Sequence, residues 1–332
     1  MTTSIRAPRV LIAVLTYQRA DDLRELLPEL VDQITALPGQ TAGASPRGEI
    51  LVVDNDPAGG ARDLVGEFGE GGLVRYAHEA TPGIAAARNL ALTEASTFDL
   101  LVFIDDDERP SAHWLALLLE TYRTSHPAAV VGPVVSRYDT EPSEWIRAGR
   151  FFDRRRMPTG TRVSLAATNN LLLDVEQVRG LGVRFDERFG LSGGSDSLFT
   201  RQLHARGGSM VWCDDAVVID VVPAERLTRD WVLRRAFRIG NTWSRIHLDG
   251  TQSLHRLTVR ASLVVRGLAR LVGGSARFCV GLLTGQIGQR AKGLRTAARG
   301  AGMLTGSVGT VYSEYQRSMP DPAPDASMSH PS

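Results

Sequence analysis

The stretch Leu100 to Pro110, LLVFIDDDERP, decides how the rest of the chain is read. Leu100 to Ile104 is an unbroken apolar run of the kind found in strands covered on both faces, and it runs straight into Asp105, Asp106, Asp107 and Glu108. Each like-charge pair at about 4 Å costs roughly 4 kcal/mol at an effective dielectric near 20, so the three aspartates call for a cation. Mg²⁺ or Mn²⁺, which take one or two carboxylates and finish their shell with phosphate oxygens, suit Asp105 and Asp107 better than a structural zinc does. An acidic first turn complementing the dipole of the next helix is the plainer alternative.

The same alternation extends outward on both sides. Val10 to Leu15 is apolar up to Thr16, and Leu23, Leu26, Leu27, Leu30, Val31 and Ile34 then recur at helical spacing. Beyond the Gly, Pro and Ser-rich loop Pro38 to Gly48, Ile50 to Val53 forms a second strand ending in Asp54 and Asn55, closed by the breakers Asp56, Pro57, Gly59 and Gly60. A short strand at Val74 to Tyr76, a turn at Thr81, Pro82 and Gly83, and an Ala-rich helix from Ile84 to Ala95 follow. After the acids, Ser111 is placed to cap the helix holding Trp114, Leu118 and Tyr122. Strands alternating with helices predict an α/β fold with a mostly parallel sheet, whose ligands bind where Thr16, Asp54 and Asp105 end their strands. After Val130 to Val135 the pattern loosens through Arg162, as expected of a substrate-side subdomain. Order resumes at Leu171 to Leu173, the helix Ser197 to Arg206, and strands at Met210 to Cys213 and Val217 to Val221.

Composition narrows the class. With 332 residues, 43% hydrophobic and 23% charged, the chain can bury a large core, which excludes wholesale disorder. No apolar run reaches the roughly 18 to 20 residues of a membrane-spanning helix, and Met1 to Val10 lacks a signal-peptide core. Cys213 and Cys279 are too few for a disulfide framework or a thiolate zinc site, which fits a cytoplasmic protein. The net charge of +1 hides a split, because residues 250–319 hold ten Arg or Lys against the single acid Glu314, leaving an acidic body with a basic tail. No internal repeat is visible, and residues 319–332 read as a disordered end.

At this point the sequence resembles the family 2 glycosyltransferases of the GT-A fold, which transfer a sugar from a nucleotide diphosphate donor with inversion. The resemblance covers most of residues 8–245 and rests on five ordered blocks: LIAVLTYQRADDL, LVVDND, TPGIAAARNLAL, FIDDDERP with Trp114 following, and TNNLLLD…FDERFGLSGGSDSLFTRQLHARG. It implies that Thr16, Tyr17, Arg19, Asp54, Arg88, Asp105 and Asp106 hold the nucleotide, with Asp105 on the ribose side, and that Asp107 holds a Mg²⁺ or Mn²⁺ bridging both phosphates. The family's usual catalytic motif is Gly-Glu-Asp with a further acid two residues on; here Gly193, Gly194, Ser195, Asp196 and Ser197 leave Asp196 as the candidate base, or as a cap of the following helix. Where relatives often carry His, this chain has Asp220, either a metal ligand or a plain strand-end acid. Arg226, Arg234, Arg235 and Arg238 lie close enough in sequence to offset a diphosphate leaving group, or else form a solvated helix face.

The expected layout is a catalytic domain over 8–245, with its nucleotide half at 8–135 and its acceptor half at 136–245. A basic helical extension over 246–318 and the tail then follow. In the extension Arg256, Arg260, Arg266, Arg270 and Arg277 fall within about 120° of helix, beside Leu257, Val264, Leu268, Leu271 and Leu282, which suits an anionic membrane surface or packing onto the catalytic domain. Gly273 and Gly274 are expected to break or kink that helix. Nucleic acid is disfavoured, since Lys292 is the sole lysine and no aromatic residues interleave with the arginines. The reading is thus an inverting transferase acting from a nucleotide diphosphate sugar on a hydroxyl acceptor, a glycan, lipid-linked glycan or metabolite. Its place is cytoplasmic or peripheral on the inner face of the cytoplasmic membrane, in envelope or extracellular polysaccharide synthesis. A non-catalytic nucleotide-binding scaffold, suggested by Ser195 and Ser197, and a nucleotidyltransferase are the alternatives.

Overall fold

The computed structural model describes residues 8–37, 47–69, 71–249, 251 and 253–312. The first half runs β1 (Val10–Thr16), α1 (Ala20–Thr35), β2 (Gly48–Asp54), α2 (Arg62–Glu67), β3 (Val74–His78), α3 (Ile84–Glu94), β4 (Leu100–Asp105), β5 (Glu108–Pro110) and α4 (Trp114–Ser125). It continues with β6 (Ala129–Val131), β7 (Val134–Tyr138), α5 (Glu144–Gly149), β8 (Arg162–Val163), β9 (Asn170–Asp174), α6 (Val175–Gly180) and α7 (Ser195–Ala205). The last elements are β10 (Met210–Trp212), β11 (Val218–Val222), α8 (Arg229–Leu248), α9 (Ser253–Leu283) and α10 (Ile287–Ser307). The tail expected at 319–332 and most of the loop after α1 lie outside the described residues.

Alternation along the strands builds two cores from one sheet. Val10, Ile12 and Val14 of β1, with Ile50, Val52, Val102 and Ile104, pack under Leu23, Leu27 and Leu30 of α1 and Trp114 and Leu118 of α4. Leu11, Ala13, Leu51, Val53, Leu101 and Phe103 face the other way, onto the alanines of α3 and onto Phe199 and Leu203 of α7. The order is β3-β2-β1-β4-β9-β6-β10-β8. β3, β2, β1 and β4 are parallel, β9 runs against both β4 and β6, and β8 runs against β10. The sheet is therefore mostly parallel, as expected. A second sheet, β5-β11-β7, lies beyond the acidic turn and pairs Asp220 with Glu108.

Asn170 joins these parts. It is buried at the start of β9, accepts from Trp114 Nε1 at 2.9 Å, and donates through Nδ2 to the carbonyls of Pro133 at 3.0 Å and Ala216 at 2.8 Å. The side-chain amide thus ties α4 to the loops that launch both strands of the parallel β7–β11 pair.

Two local expectations need correction. Ser111 does not cap α4: its hydroxyl is buried without a hydrogen-bond partner among the described residues, and His113, at φ 62°, takes the cap position. The cause is β5, which carries the chain onward so that Ser111 N donates to Val217 O at 2.9 Å and the residue extends the small sheet. Nor do Gly273 and Gly274 break the basic helix; α9 is continuous from Ser253 to Leu283. Glycines at seven-residue spacing, Gly267, Gly274 and Gly281 on α9 with Gly293 and Gly300 on α10, let the two backbones approach. A Cβ on Gly293 would lie 2.6 Å from Phe278 N, and one on Gly300 2.6 Å from Leu271 N. α10 also packs on α5 and α8, and α8 passes residue 245 without interruption.

This predicts opposite signs for two glycines. Gly300→Leu should cost about 2 kcal/mol or more through backbone overpacking, read as a lower urea midpoint and faster proteolysis between α8 and α9. Gly273→Ala, whose Cβ meets nothing within 4 Å, should instead add up to about 1 kcal/mol of helix stability.

Candidate active site

Parallel pairing brings the strand ends together: Thr16 stands beside Asp54 and Leu15 beside Asp105. The loop after β1 is latched to the acidic turn. Thr16 Oγ1 donates to Asp106 Oδ2 at 2.9 Å, and Arg19 Nη1 reaches Asp106 Oδ1 at 2.9 Å and Asp107 Oδ2 at 2.7 Å. Tyr17, half-buried, follows Thr16 in the same loop. From the other side Arg226 Nη2 lies 3.2 Å from Asp107 Oδ2, and its Nη1 is 3.9 Å from Asp220 Oδ1. Asp220 is also paired with Arg154.

Asp54 is fully buried, and its carboxylate is turned onto its own loop. It accepts from Asp56 N and Ala61 N at 2.9 Å and from Tyr76 Oη at 3.1 Å. It therefore shapes the rim, and the residues it holds up were not singled out from the sequence. Asn55 donates to Glu79 O and Thr81 O at 2.8 Å and accepts from Gly83 N at 2.9 Å, fixing the turn before α3. Asp56 receives Gln18 Nε2 at 3.4 Å from the loop after β1. Their contiguity with Asp54 at a strand end was the available signal.

The small side chains of α3 allow it to sit tight on the sheet, so Arg88 is buried. Its Nη1 donates to Ser195 Oγ at 2.9 Å, and its guanidinium carbon lies 5.5 Å from the centre of the Phe185 ring. Ser195, where the family motif carries Glu, thus partners the arginine at the head of α7. Asp196 is not the cap of that helix: Gly194, at φ 96°, holds the cap position and Asp196 lies in the first turn, accepting from Ser197 N at 2.7 Å.

The electrostatics of the turn are dominated by crowded carboxylates. Burial raises Asp105 to about 7, with Asp107, Asp106 and Asp196 adding to the rise and Arg88 opposing it. Burial also raises Asp106 to about 6, against the pull of Arg19. Glu108, buried and next to Asp105, is pushed well above the usual carboxylate range; it accepts from Asn169 Nδ2 at 2.6 Å and from Asp105 N at 3.3 Å. Burial works against the charge of Arg19, but Asp106 and Asp107 outweigh it and its pKa is raised.

The sequence-predicted residues Thr16, Arg19, Arg88, Asp105, Asp106, Asp107 and Asp196 are therefore one interacting group. Glu108, Asn169, Ser195 and Arg154 join it without having been selected, and nothing in the local sequence around Arg154 marks it. Three of the four arginines divide. Arg226 reaches the acids, Arg234 pairs with Asp230 on the helix surface, and Arg235 lies over the Trp231 ring at 4.9 Å. Burial, with Arg154 and Arg238 nearby, lowers Arg235 to about 10. As donors, the carboxylate oxygens of Asp105 and Asp107 suit a hard divalent cation, which at Asp107 would compete with Arg19 and Arg226. No three His, Cys, Asp or Glu side chains among the described residues converge as a complete cage, so such an ion would need oxygens from elsewhere.

Comparison with known proteins identifies the family and the fold. The model for glycosyl transferase family 2 matches residues 11–180. The succinoglycan biosynthesis protein ExoM of Rhizobium meliloti (strain 1021) is 33% identical over 308 residues, covering 90% of this chain and 92% of that protein. Among solved structures, the mannosyltransferase PcManGT from Pyrobaculum calidifontis, in complex with GDP-Man and Mn²⁺, superposes with a TM-score of 0.58 at 19% identity over 91% of this chain and 88% of that one. S. aureus TarS 1–349 in complex with UDP gives 0.51 at 15% identity over 88% and 90%. A family match over half the chain and a relative one-third identical along nine-tenths of it establish that this chain belongs to glycosyl transferase family 2 and is a glycosyltransferase of the GT-A fold.

Proposed function

We propose that the chain transfers a glycosyl group from a nucleoside diphosphate sugar to an acceptor hydroxyl, with inversion at the anomeric carbon, in the synthesis of an envelope or extracellular polysaccharide or related glycoconjugate. The observation that carries the reading is the meeting of Asp105, Asp106 and Asp107 with Arg88 and Asp196 at the carboxyl ends of parallel strands. The bound UDP of TarS, the GDP-Man of PcManGT and the name of ExoM support a sugar nucleotide donor and a polysaccharide product.

In this reading the nucleotide lies along the strand ends. Thr16, Tyr17 and Arg19 flank it from the loop after β1; Asp54 acts through Asn55 and Asp56; Arg88 and Asp105 border the ribose, with Asp106 holding Arg19 in place. Asp107 would hold a Mg²⁺ or Mn²⁺, and such an ion would supply Lewis-acid stabilisation to the departing diphosphate. Arg19 and Arg226, now spent on Asp107, are the forks available to phosphate oxygens once the donor is seated. Asp196 takes the proton from the acceptor hydroxyl as that oxygen attacks. Arg88 orients the head of α7 through Ser195, so the missing Glu of the motif does not leave the base unsupported. Residues 8–245 carry this chemistry. The basic segment 250–319 seats the chain peripherally against an anionic membrane surface on the cytoplasmic side.

Two measurements test the assignments. Asp107→Ala and Asp196→Ala should each abolish transfer, but only Asp107→Ala should greatly weaken Mn²⁺-dependent nucleotide binding in a calorimetric titration; near-normal turnover of Asp196→Ala rules it out as the base. The second is thermal. Asp105 binds its proton more tightly folded than unfolded, so its contribution to stability is lost as pH rises from about 4 to about 7. A cation that replaces those protons should therefore raise the melting temperature more at pH 7.5 than at pH 5, and Asp105→Asn should flatten the difference. An Mn²⁺ shift that is equal at both pH values counts against the site.

A further inference from the structure

The hairpin of α9 and α10 has a surface that transfer chemistry does not use. α9 is buried along Leu263, Gly267, Gly274 and Gly281. On the opposite side Leu257, Ala261, Val265, Leu268, Val272, Ala276, Cys279 and Leu283 recur at spacings of three and four, an uncharged stripe about 40 Å long that faces solvent. Leu257, Val265, Val272 and Leu283 are 64%, 65%, 66% and 88% exposed, far from the scatter of single apolar residues normal on a surface. The sequence reading centred the apolar side on Leu257, Val264, Leu268, Leu271 and Leu282; packing against α10 takes up part of that face and turns the stripe outward.

Charge says what fits there. α9 and α10 together hold nine Arg or Lys and no acidic residue. Arg266, Arg270 and Arg277 fall within about 40° of one another, at 100° per residue, but on the far side of α9 from the stripe, about 150° from its centre and beside the seam with α10. Behind them Arg299 is lowered by burial and by Arg270 and Arg295, and Nε of Arg260 and of Arg299 is buried without a hydrogen-bond partner among the described residues. The face opposite the stripe is thus cationic and under-compensated. Two copies meeting stripe to stripe would bring together two acid-free cationic hairpins with nothing to offset their charge, whereas a helix lying in an anionic lipid surface finds hydrocarbon for the stripe and headgroup charge for the basic face opposite it.

We propose that the outer face of α9, from Leu257 to Leu283, is the membrane-docking surface: it lies in the interface of an anionic lipid leaflet, with Val265, Leu268 and Val272 toward the acyl region and Arg266, Arg270 and Arg277 at the headgroups. This rests on the peripheral seat proposed above and not on sugar transfer, so vesicle binding is measured without any substrate. The full chain should pellet with phosphatidylcholine vesicles containing phosphatidylglycerol, far less with phosphatidylcholine alone, and less as salt is raised.

The double variant Val265→Glu/Val272→Glu, at positions too exposed to disturb the fold, should lose at least tenfold in partition. Arg266→Gln/Arg277→Gln should lose up to about twenty-five-fold on anionic vesicles, at roughly fivefold per basic residue. Unchanged circular dichroism must accompany both losses. The proposal is overturned if the wild-type chain stays in the supernatant with anionic vesicles, if either variant binds as well as wild type, or if the chain is a dimer in solution that Val265→Glu/Val272→Glu splits, which would make a second copy the occupant. A wild type that binds vesicles yet transfers no sugar would refute the reaction and leave this surface standing.

Discussion

Repulsion among carboxylates at the end of β4 is the constraint around which the molecule is arranged. Asp105, Asp106, Asp107 and Glu108 follow one another without a break, and burial raises the proton affinity of three of them. Each counter-charge comes from a different element: Arg19 from the loop before α1, Arg88 from α3, and Arg226 from the segment before α8. The acids therefore also act as a hub, since neutralising them requires the first and last thirds of the catalytic region to close on the same point. Fully compensated acids would be inert structure. Partly compensated ones keep an affinity for added positive charge, which is what a metal and a diphosphate donor together require of such a site.

That hub explains how much could be read in advance. Strands β1, β2 and β4 were legible because strands covered on both faces are near-continuous apolar runs, and their ends were legible because polar residues interrupt those runs abruptly. Thr16, Asp54 and Asp105 stand where that argument puts them. What could not be read was which way a side chain at a strand end turns. Asp54 and Asp105 look alike in sequence, yet Asp54 is consumed by two amide donors and Tyr76, while Asp105 faces Arg88 and its fellow acids. The difference lies in the breaker run after Asp54, which folds the chain back to offer Asp56 N and Ala61 N. Arg154, in the irregular stretch before β8, pairs with Asp220 of β11, 66 residues on, a partnership that no local pattern encodes.

Glycine was the other limit. Read locally, Gly273–Gly274 is a helix breaker, and its intrinsic cost, about 1 kcal/mol per residue, is real. Tertiary packing reverses the sign at one of the two. Gly274 faces Gly293 and Ala297 of α10, where any side chain would strike backbone, whereas Gly273 points at open space. Only the register of two helices, seen together, separates a structural glycine from a tolerated one. The seven-residue spacing of Gly267, Gly274 and Gly281 carries that register, but it becomes visible only against Gly293 and Gly300.

The close glycine contact also bears on what α9 leaves exposed. A helix pair held by backbone approach buries a narrow strip of each helix, so most of the circumference of α9 remains available. A chain selected only for solubility would fill that circumference with charge of both signs, as α8 does with Arg234 and Asp230. α9 instead segregates an uncharged outer face from a cationic face opposite it and excludes acids altogether. Segregation of this kind lowers solubility in water and lowers free energy only at a boundary between an apolar and an anionic phase. The rigidity of the zipped hairpin, continuous through α10 with α8 and α5, would then fix the orientation of the strand ends relative to that boundary, so that where the sugar is delivered is set by how the helices pack.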